Sequence, residues 1–229
     1  MNNRFCLNYK GLPYKTEWIE YCNIQEHSKK YNIKPTDKRP DGTDFHSLPA
    51  IFDPKTGVYL ADSFKIAAYL DQVYPDTRPI FPNNSIGLQA AFEAMFMASV
   101  GPFLGLTLYD SWTVQRPISQ DYIRKKFEDI YGGVKLENIA PKGEKADEEW
   151  KKFEAALGKL EGIFAATDAI GPFVLGDTIS WGDIVVASFL IYFKRLWGRD
   201  GEQWKKISSW QGGRWGSLLQ SLDDYTAIN

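Results

Sequence analysis

The sequence predicts an α/β domain followed by an all-α domain. Three observations carry that prediction. Residues 47–74, SLPAIFDPKTGVYLADSFKIAAYLDQVY, read as strand, tight turn, strand and helix. Pro75 to Ser85 is proline-rich with no helical period, and beyond it every apolar pattern is helical. Ser180-Trp181-Gly182-Asp183 then opens a run, IVVASFLIYF, that is apolar all round, the pattern of a buried central helix. The boundaries follow as residues 1–75, a linker at 76–84, and 85–229.

The first element is open to two readings. In Asn2–Gly11, Phe5, Leu7 and Tyr9 alternate as in a strand, with Lys10-Gly11-Leu12-Pro13 as a turn into a hairpin; the same residues also suit a helix with Gly11 as its C-cap and Pro13 beyond. Thr16–Tyr21 is expected as a strand, Asn23–Asn32 as a short polar helix, and Lys34–Ser47 as an irregular loop rich in Pro, Gly and charge. Leu48 to Phe52 is the next strand, entered through Pro49, which has no N–H for a ladder and belongs at a strand start or bulge. Asp53-Pro54-Lys55-Thr56-Gly57 is turn chemistry, and Val58–Ala61 returns. Asp62 and Ser63 both suit a helix start. Ile66, Tyr69, Leu70, Val73 and Tyr74 lie on one helical face, and Pro75 stops the helix.

In the second half, Ser85 is placed to cap a helix carrying Leu88, Phe92, Met95, Phe96 and Ser99, broken at Gly101-Pro102 and followed by an apolar segment to about Tyr109. Ser119–Tyr131 is a helix ended by Gly132-Gly133, and Val134–Lys145 a loop. Trp150, Phe153, Leu157, Leu160 and Phe164 give a strongly amphipathic helix. Ser180 and Asp183 form a capping box and are assigned to folding, not catalysis. Trp215, Leu218, Leu219 and Leu222 repeat at helical spacing and, with Trp210, pack the last helix onto the body.

The function classes narrow as follows. A net charge of −2 without long charge runs gives no nucleic-acid surface. No run of about eighteen apolar residues suggests a transmembrane helix, no secretory signal opens the chain, and the expected location is cytoplasmic. Cys6 and Cys22 show neither metal nor CxxC spacing and read as reduced thiols. With two histidines, His27 and His46, no metal cluster or Ser-His-Asp order stands out. The remaining signal is an anion seat: a helix N-terminus offers unpaired N–H groups and partial positive charge, and Ser63 adds a hydroxyl beside them.

Leu48-Pro49-Ala50-Ile51 followed by Asp62-Ser63-x-x-Ile66-x-x-Tyr69-Leu70 resembles the glutathione-binding half of the cytosolic glutathione transferases. NYKGLPYKTEWIEY resembles a helix-to-strand passage of the fungal-specific, etherase-related (FuA) class of wood-decay fungi, and favours the helix at Asn2–Gly11. The resemblance covers nearly the whole chain. It implies a thioredoxin-like N-terminal domain, an all-helical C-terminal domain, a cis bond before Pro49 and a homodimer. It implies glutathione as cosubstrate: backbone of Leu48 on the cysteinyl part, Asp62 and Ser63 on the γ-glutamyl end, and His46 on the glycyl carboxylate. The family usually has Glu where this chain has Asp62, a longer arm. Cys6 and Cys22 do not precede a proline as the cysteine-using transferases require.

The implied activity is attack of glutathione thiolate on a hydrophobic, aromatic electrophile, as in detoxification. Phe92, Met95, Phe96, Ser99, Tyr109 and Trp112 are candidates for the apolar substrate pocket, each with ordinary core as the alternative. A non-catalytic, ligandin-like binder of glutathione and aromatic compounds is the second reading, and a fold module used in protein assembly the third. The family also has a first strand and a loop ahead of the helix that starts near Asn2, about twenty residues by typical strand and loop lengths. That loop carries the Ser, Tyr or Cys that serves the thiol, so the catalytic residue is expected upstream of Met1. The alternative is a shortened protein that binds without catalysis.

Overall fold

The computed structural model describes residues 2–39 and 41–227. The chain divides into two units, Met1–Ile86 with Tyr225–Asn229, and Gly87–Asp224.

The first unit opens with helix α1, Asn2–Lys10, so the helical reading of this stretch holds and the hairpin does not. It ends as its sequence directs. Gly11, at φ 70°, donates to Asn8 O at 3.0 Å, and Leu12 N reaches Leu7 O at 2.9 Å, the paired bonds of a Schellman motif. Residues 12–20 belong to no helix or ladder, and a 3₁₀ turn follows at Tyr21–Asn23. The strand expected at Thr16–Tyr21 is therefore absent. A strand exists only within a ladder, and the two ladders among the described residues do not include this segment. Helix α2, Ile24–Lys30, matches the polar helix expected. The loop expected at Lys34–Ser47 contains a small antiparallel ladder, β1 Asp37–Lys38 with β2 Asp44–Phe45, closed by Gly42 N on Arg39 O at 2.8 Å.

Strands β3, Ala50–Asp53, and β4, Val58–Ala61, pair antiparallel from Ala50↔Ala61 to Asp53↔Val58. Helix α3, Ser63–Val73, buries Ile66, Ala67 and Leu70 and packs on α1. Two carboxylates fix this arrangement. Asp53, at the end of β3, accepts from Tyr69 Oη at 2.6 Å, Tyr74 Oη at 2.9 Å and Lys55 N at 2.9 Å, joining hairpin to helix. Asp71 accepts from the fully buried Lys10 Nζ at 2.7 Å and from the amides of Ile80 and Phe81 at 2.9 Å, tying α1 and the linker to α3.

The second unit is helical. Helix α4, Ile86–Val100, gives way at Gly101–Thr107 to a 3₁₀ stretch and then to α5, Leu108–Thr113, so the break expected at Gly101-Pro102 is present. Ser85 does not cap α4 through its hydroxyl, which is buried without a hydrogen-bond partner. Ile86–Thr113 as a whole meets the length and composition of a membrane span. Gln89, Glu93 and Asp110 punctuate it, which is why a search for unbroken apolar residues passes over it. Helix α6, Pro117–Ile130, ends at Gly132-Gly133, and α7, Glu144–Ala165, buries Phe153, Leu157, Leu160 and Phe164.

Helix α8, Trp181–Trp197, is the core; from Trp181 to Ser188 every residue is buried. Its capping box forms as read. Asp183 Oδ2 accepts from Ser180 N at 2.9 Å and Ser180 Oγ at 2.8 Å, and Oδ1 accepts from Val174 N at 2.8 Å. Burial pushes this carboxyl up to about 6, against the donors that pull it down. Helix α4 closes on the same end: Gln89 Oε1 accepts from Gly182 N at 2.7 Å and Glu93 Oε2 from Trp181 Nε1 at 2.9 Å. Gly182 permits that approach, since a Cβ there would stand 3.0 Å from the Phe92 ring. Helix α9, Glu202–Ser221, packs on α7 and α8 through Trp215, Leu218 and Leu219, and Leu222 just beyond is buried too. It is interrupted at 210–213, where Gln211, Gly212 and Gly213 have positive φ.

Two outcomes follow. Asp183→Asn keeps one acceptor oxygen where the carboxylate uses two, and should cost about 1.5–3 kcal/mol in denaturant unfolding followed by tryptophan fluorescence. Asp53 sets a pH dependence. Burial alone would raise its carboxyl, but the bonds from Tyr69, Lys55 and Tyr74 hold it below its ordinary value. A depressed carboxylate stabilises the fold above the unfolded pKa, about 3.9, and that contribution is lost as pH falls through the folded value. The stability gap between the native chain and Asp53→Asn should therefore be full at pH 6 and shrink on acidification below about pH 4.

Candidate anion-binding site at the start of helix α3

The site is built where β4 turns into α3. Asp62 makes the turn with φ 85° and ψ 117°, a conformation few non-glycine residues adopt. Its carboxylate offsets the strain: Oδ1 accepts from Phe64 N at 3.0 Å and Lys65 N at 3.3 Å, while Oδ2 lies 3.4 Å from Lys65 Nζ. That last pair is solvent-exposed and contributes little. Asp62, not Ser63, is thus the N-cap. The first carbonyl of the ladder is also Asp62's, which accepts from Ile66 N at 2.9 Å.

This division leaves Ser63 in a specific state. It is the first helical residue and half-buried, and among the described residues its hydroxyl has no hydrogen-bond partner. Its amide precedes the first intrahelical bond. A free N–H and a free O–H on one residue, at the positive end of an eleven-residue helix, form a two-pronged donor for a carboxylate.

The β3–β4 register brings the next predicted residues to the same place. Ala50 pairs with Ala61, so continuing the two strands sets Pro49 and Leu48 alongside Asp62 and Ser63. The Leu48–Pro49 bond is cis, as the resemblance implies. Leu48 is exposed. His46, at the end of the β2 segment, is 9% exposed and its Nδ1 is buried without a hydrogen-bond partner.

The residues proposed for an apolar pocket separate. Phe92 and Phe96, at 8% and 1% exposure, belong to the core of the second unit: Phe92 against Phe164 and Gly182, Phe96 against Phe189. Met95 and Tyr109 are exposed, and Ser99 and Trp112 half-buried. Ser99 Oγ is turned back on Met95 O at 2.9 Å. Tyr109 and Trp112 hold their rings 5.7 Å apart. A separate cavity of about 350 Å³ in the second unit is lined by Pro102, Leu106, Tyr131 and Ile139, among others, and by none of the six.

Cys6 is fully buried; burial first, and then the nearby Asp71 carboxylate, push its thiol far above the ordinary range. That is the environment of an inert thiol. Among the described residues no group of three His, Cys, Asp or Glu side chains is placed to hold a metal.

Comparison with known proteins agrees with this geometry. Residues 2–73 match the model of the glutathione S-transferase N-terminal domain, and residues 87–225 that of the C-terminal domain. A glutathione S-transferase of Ceriporiopsis subvermispora, solved in complex with glutathione, is 36% identical with a TM-score of 0.95, over 100% of this chain and 90% of that one. Glutathione transferase GSTFuA3 of Phanerochaete chrysosporium is 33% identical with a TM-score of 0.93, over the same shares. Among curated proteins, the glutathione S-transferase-like protein ustS of Aspergillus flavus is 26% identical over 94% of this chain and 79% of its own length. Two domain models in order, a cis-proline strand and a capped helix start coincide on one chain, which belongs to the glutathione S-transferase family.

Proposed function

We propose that this chain binds glutathione at the start of α3 and transfers it to hydrophobic, aromatic electrophiles, a detoxifying activity. The observation that carries the reading is Ser63, whose amide and hydroxyl are left without hydrogen-bond partners among the described residues because Asp62 does the capping. Ser63 takes the γ-glutamyl carboxylate through both groups, a charge-assisted arrangement. Leu48 offers its backbone to the cysteinyl portion, in the manner of an added strand. Asp62 holds the turn, and its Oδ2, paired with the exposed Lys65 Nζ, is the candidate for the γ-glutamyl ammonium. The unpartnered Nδ1 of His46 is the candidate for the glycyl end. Glutathione in complex with the Ceriporiopsis relative supports the ligand assignment.

Met95, Ser99, Tyr109 and Trp112 remain the candidates for the electrophile's pocket, with Phe92 and Phe96 as the core beneath them. Cys6, inert by burial, is not the group that lowers the glutathione thiol pKa. The second reading is a binder of glutathione and aromatic compounds without turnover. The family resemblance implies a homodimer; on α4, Ile86 and Met97 are exposed on one side and Leu88 and Met95 on the opposite side.

Ser63→Ala removes one hydrogen bond to a charged group and should weaken glutathione binding by about 1.5–3 kcal/mol, roughly ten- to a hundredfold, in a calorimetric titration. Unchanged affinity would sink the assignment. Conjugation of glutathione to a chloronitrobenzene, followed spectrophotometrically, separates the enzyme from the binder.

A further inference from the structure

After Asp224 the chain leaves the second unit and rejoins the first. It is held there by several contacts. Asn8 Nδ2, on α1, donates to Tyr225 O at 2.8 Å and to Ala227 O at 3.0 Å. Tyr14 Oη donates to Ala227 O at 3.4 Å. The Tyr225 ring stands edge-on to Tyr9, 5.4 Å between centroids. Arg78, in the linker, donates from Nη1 to Tyr225 Oη at 2.7 Å, and its guanidinium lies over both rings, 5.7 Å from Tyr9 and 5.9 Å from Tyr225.

These contacts continue into the interior. Arg78 O accepts from Lys10 Nζ at 3.1 Å, and Lys10 pairs with Asp71, which also holds the amides of Ile80 and Phe81. Tail, α1, linker and α3 are thus one hydrogen-bonded network. The inner half, Lys10 with Asp71, is buried; the outer half is solvent-facing, with Ala227 exposed and Tyr225 half-buried. Solvent-facing bonds exchange readily for water, so the outer half can open while the inner half stays closed.

We propose that Tyr225–Ala227 are a releasable strap that closes the first unit over α1 and the linker, and that its release loosens the α1–α3 pair carrying Ser63. The chain leaves the first unit at residue 86 and returns to it at 225. Closed, the strap restricts α1 before any ligand arrives, so less ordering remains for binding to impose. The effect on glutathione rests on the proposed function above; the strap itself does not.

The test is hydrogen exchange read by mass spectrometry on the full chain, on Tyr225→Ala, on Arg78→Ala and on a chain ending at Asp224, each with and without glutathione. Peptides covering residues 2–10 and 75–81 should exchange about tenfold faster in the three altered chains, with α7 and α8 unchanged. Tyr225→Phe, which loses the bond from Arg78 but keeps ring and backbone contacts, should fall between. Glutathione affinity should drop about threefold or more with strap release. Unchanged exchange at 2–10 and 75–81 in Tyr225→Ala and the shortened chain overturns the strap, as does uniform acceleration across both units. Faster exchange with unaltered glutathione affinity overturns the coupling. A full chain that binds no glutathione while the altered chains still exchange faster leaves the strap standing and removes the seat.

Discussion

The carboxylate of Asp62 takes the amides of Phe64 and Lys65, and this capping decides what the first unit can do. A helix start has several unpaired donors, and a protein that satisfies all of them internally has nothing left for a ligand. Here the cap reaches past Ser63 to the two amides beyond it. The cost is a non-glycine residue at φ 85°, on the order of 1–3 kcal/mol. The return is that the one residue left unsatisfied carries both an N–H and an O–H. The hairpin register then brings the cis Leu48–Pro49 step alongside it. Asp53 holds hairpin to helix through Tyr69 and Tyr74, and Asp71 holds helix to α1 and linker, so the seat stands on a braced frame.

The second unit uses the same device to the opposite end. Asp183 caps α8 and is sealed under it, accepting from Ser180 and Val174 while α4 contributes Gln89 and Glu93 to the next two residues. Every donor at that helix start that these bonds reach is consumed inside the protein. One carboxylate cap reaches past the first helical residue and the other is sealed inside the protein, although the two look similar in sequence.

Much of this was legible because it is local. A proline at a strand start, a DPKTG turn, an Asp-Ser pair before an apolar stripe and an S-x-x-D box each span a few residues and carry their geometry with them. That Ser63 stands at a helix start was legible; that Asp62 would be the cap was not, since both residues suit the position by composition. The strand at Thr16–Tyr21 failed because pairing is not a property of one segment. The face of α4 was unreadable because apolar residues surround the helix, so Phe92 and Phe96 could be offered for the pocket although ordinary core was the better reading for each. The hubs were hidden by distance: Lys10 and Asp71 are 61 residues apart, and Arg78 and Tyr225 147. The interruption of α9 has a local signal, Gly212-Gly213, just before the helical repeat that begins at Trp215.

Ser63, and not its capped neighbours, is proposed to receive the anionic end of glutathione. Amide chemical shifts measured in a ¹⁵N-labelled chain during titration with glutathione address it residue by residue. The account predicts that the Ser63 amide moves most within the first turn of α3, while Phe64 and Lys65, already bonded to Asp62, move little. A Ser63 amide that stays fixed while glutathione binds, or shifts centred on Phe64 and Lys65, would contradict it.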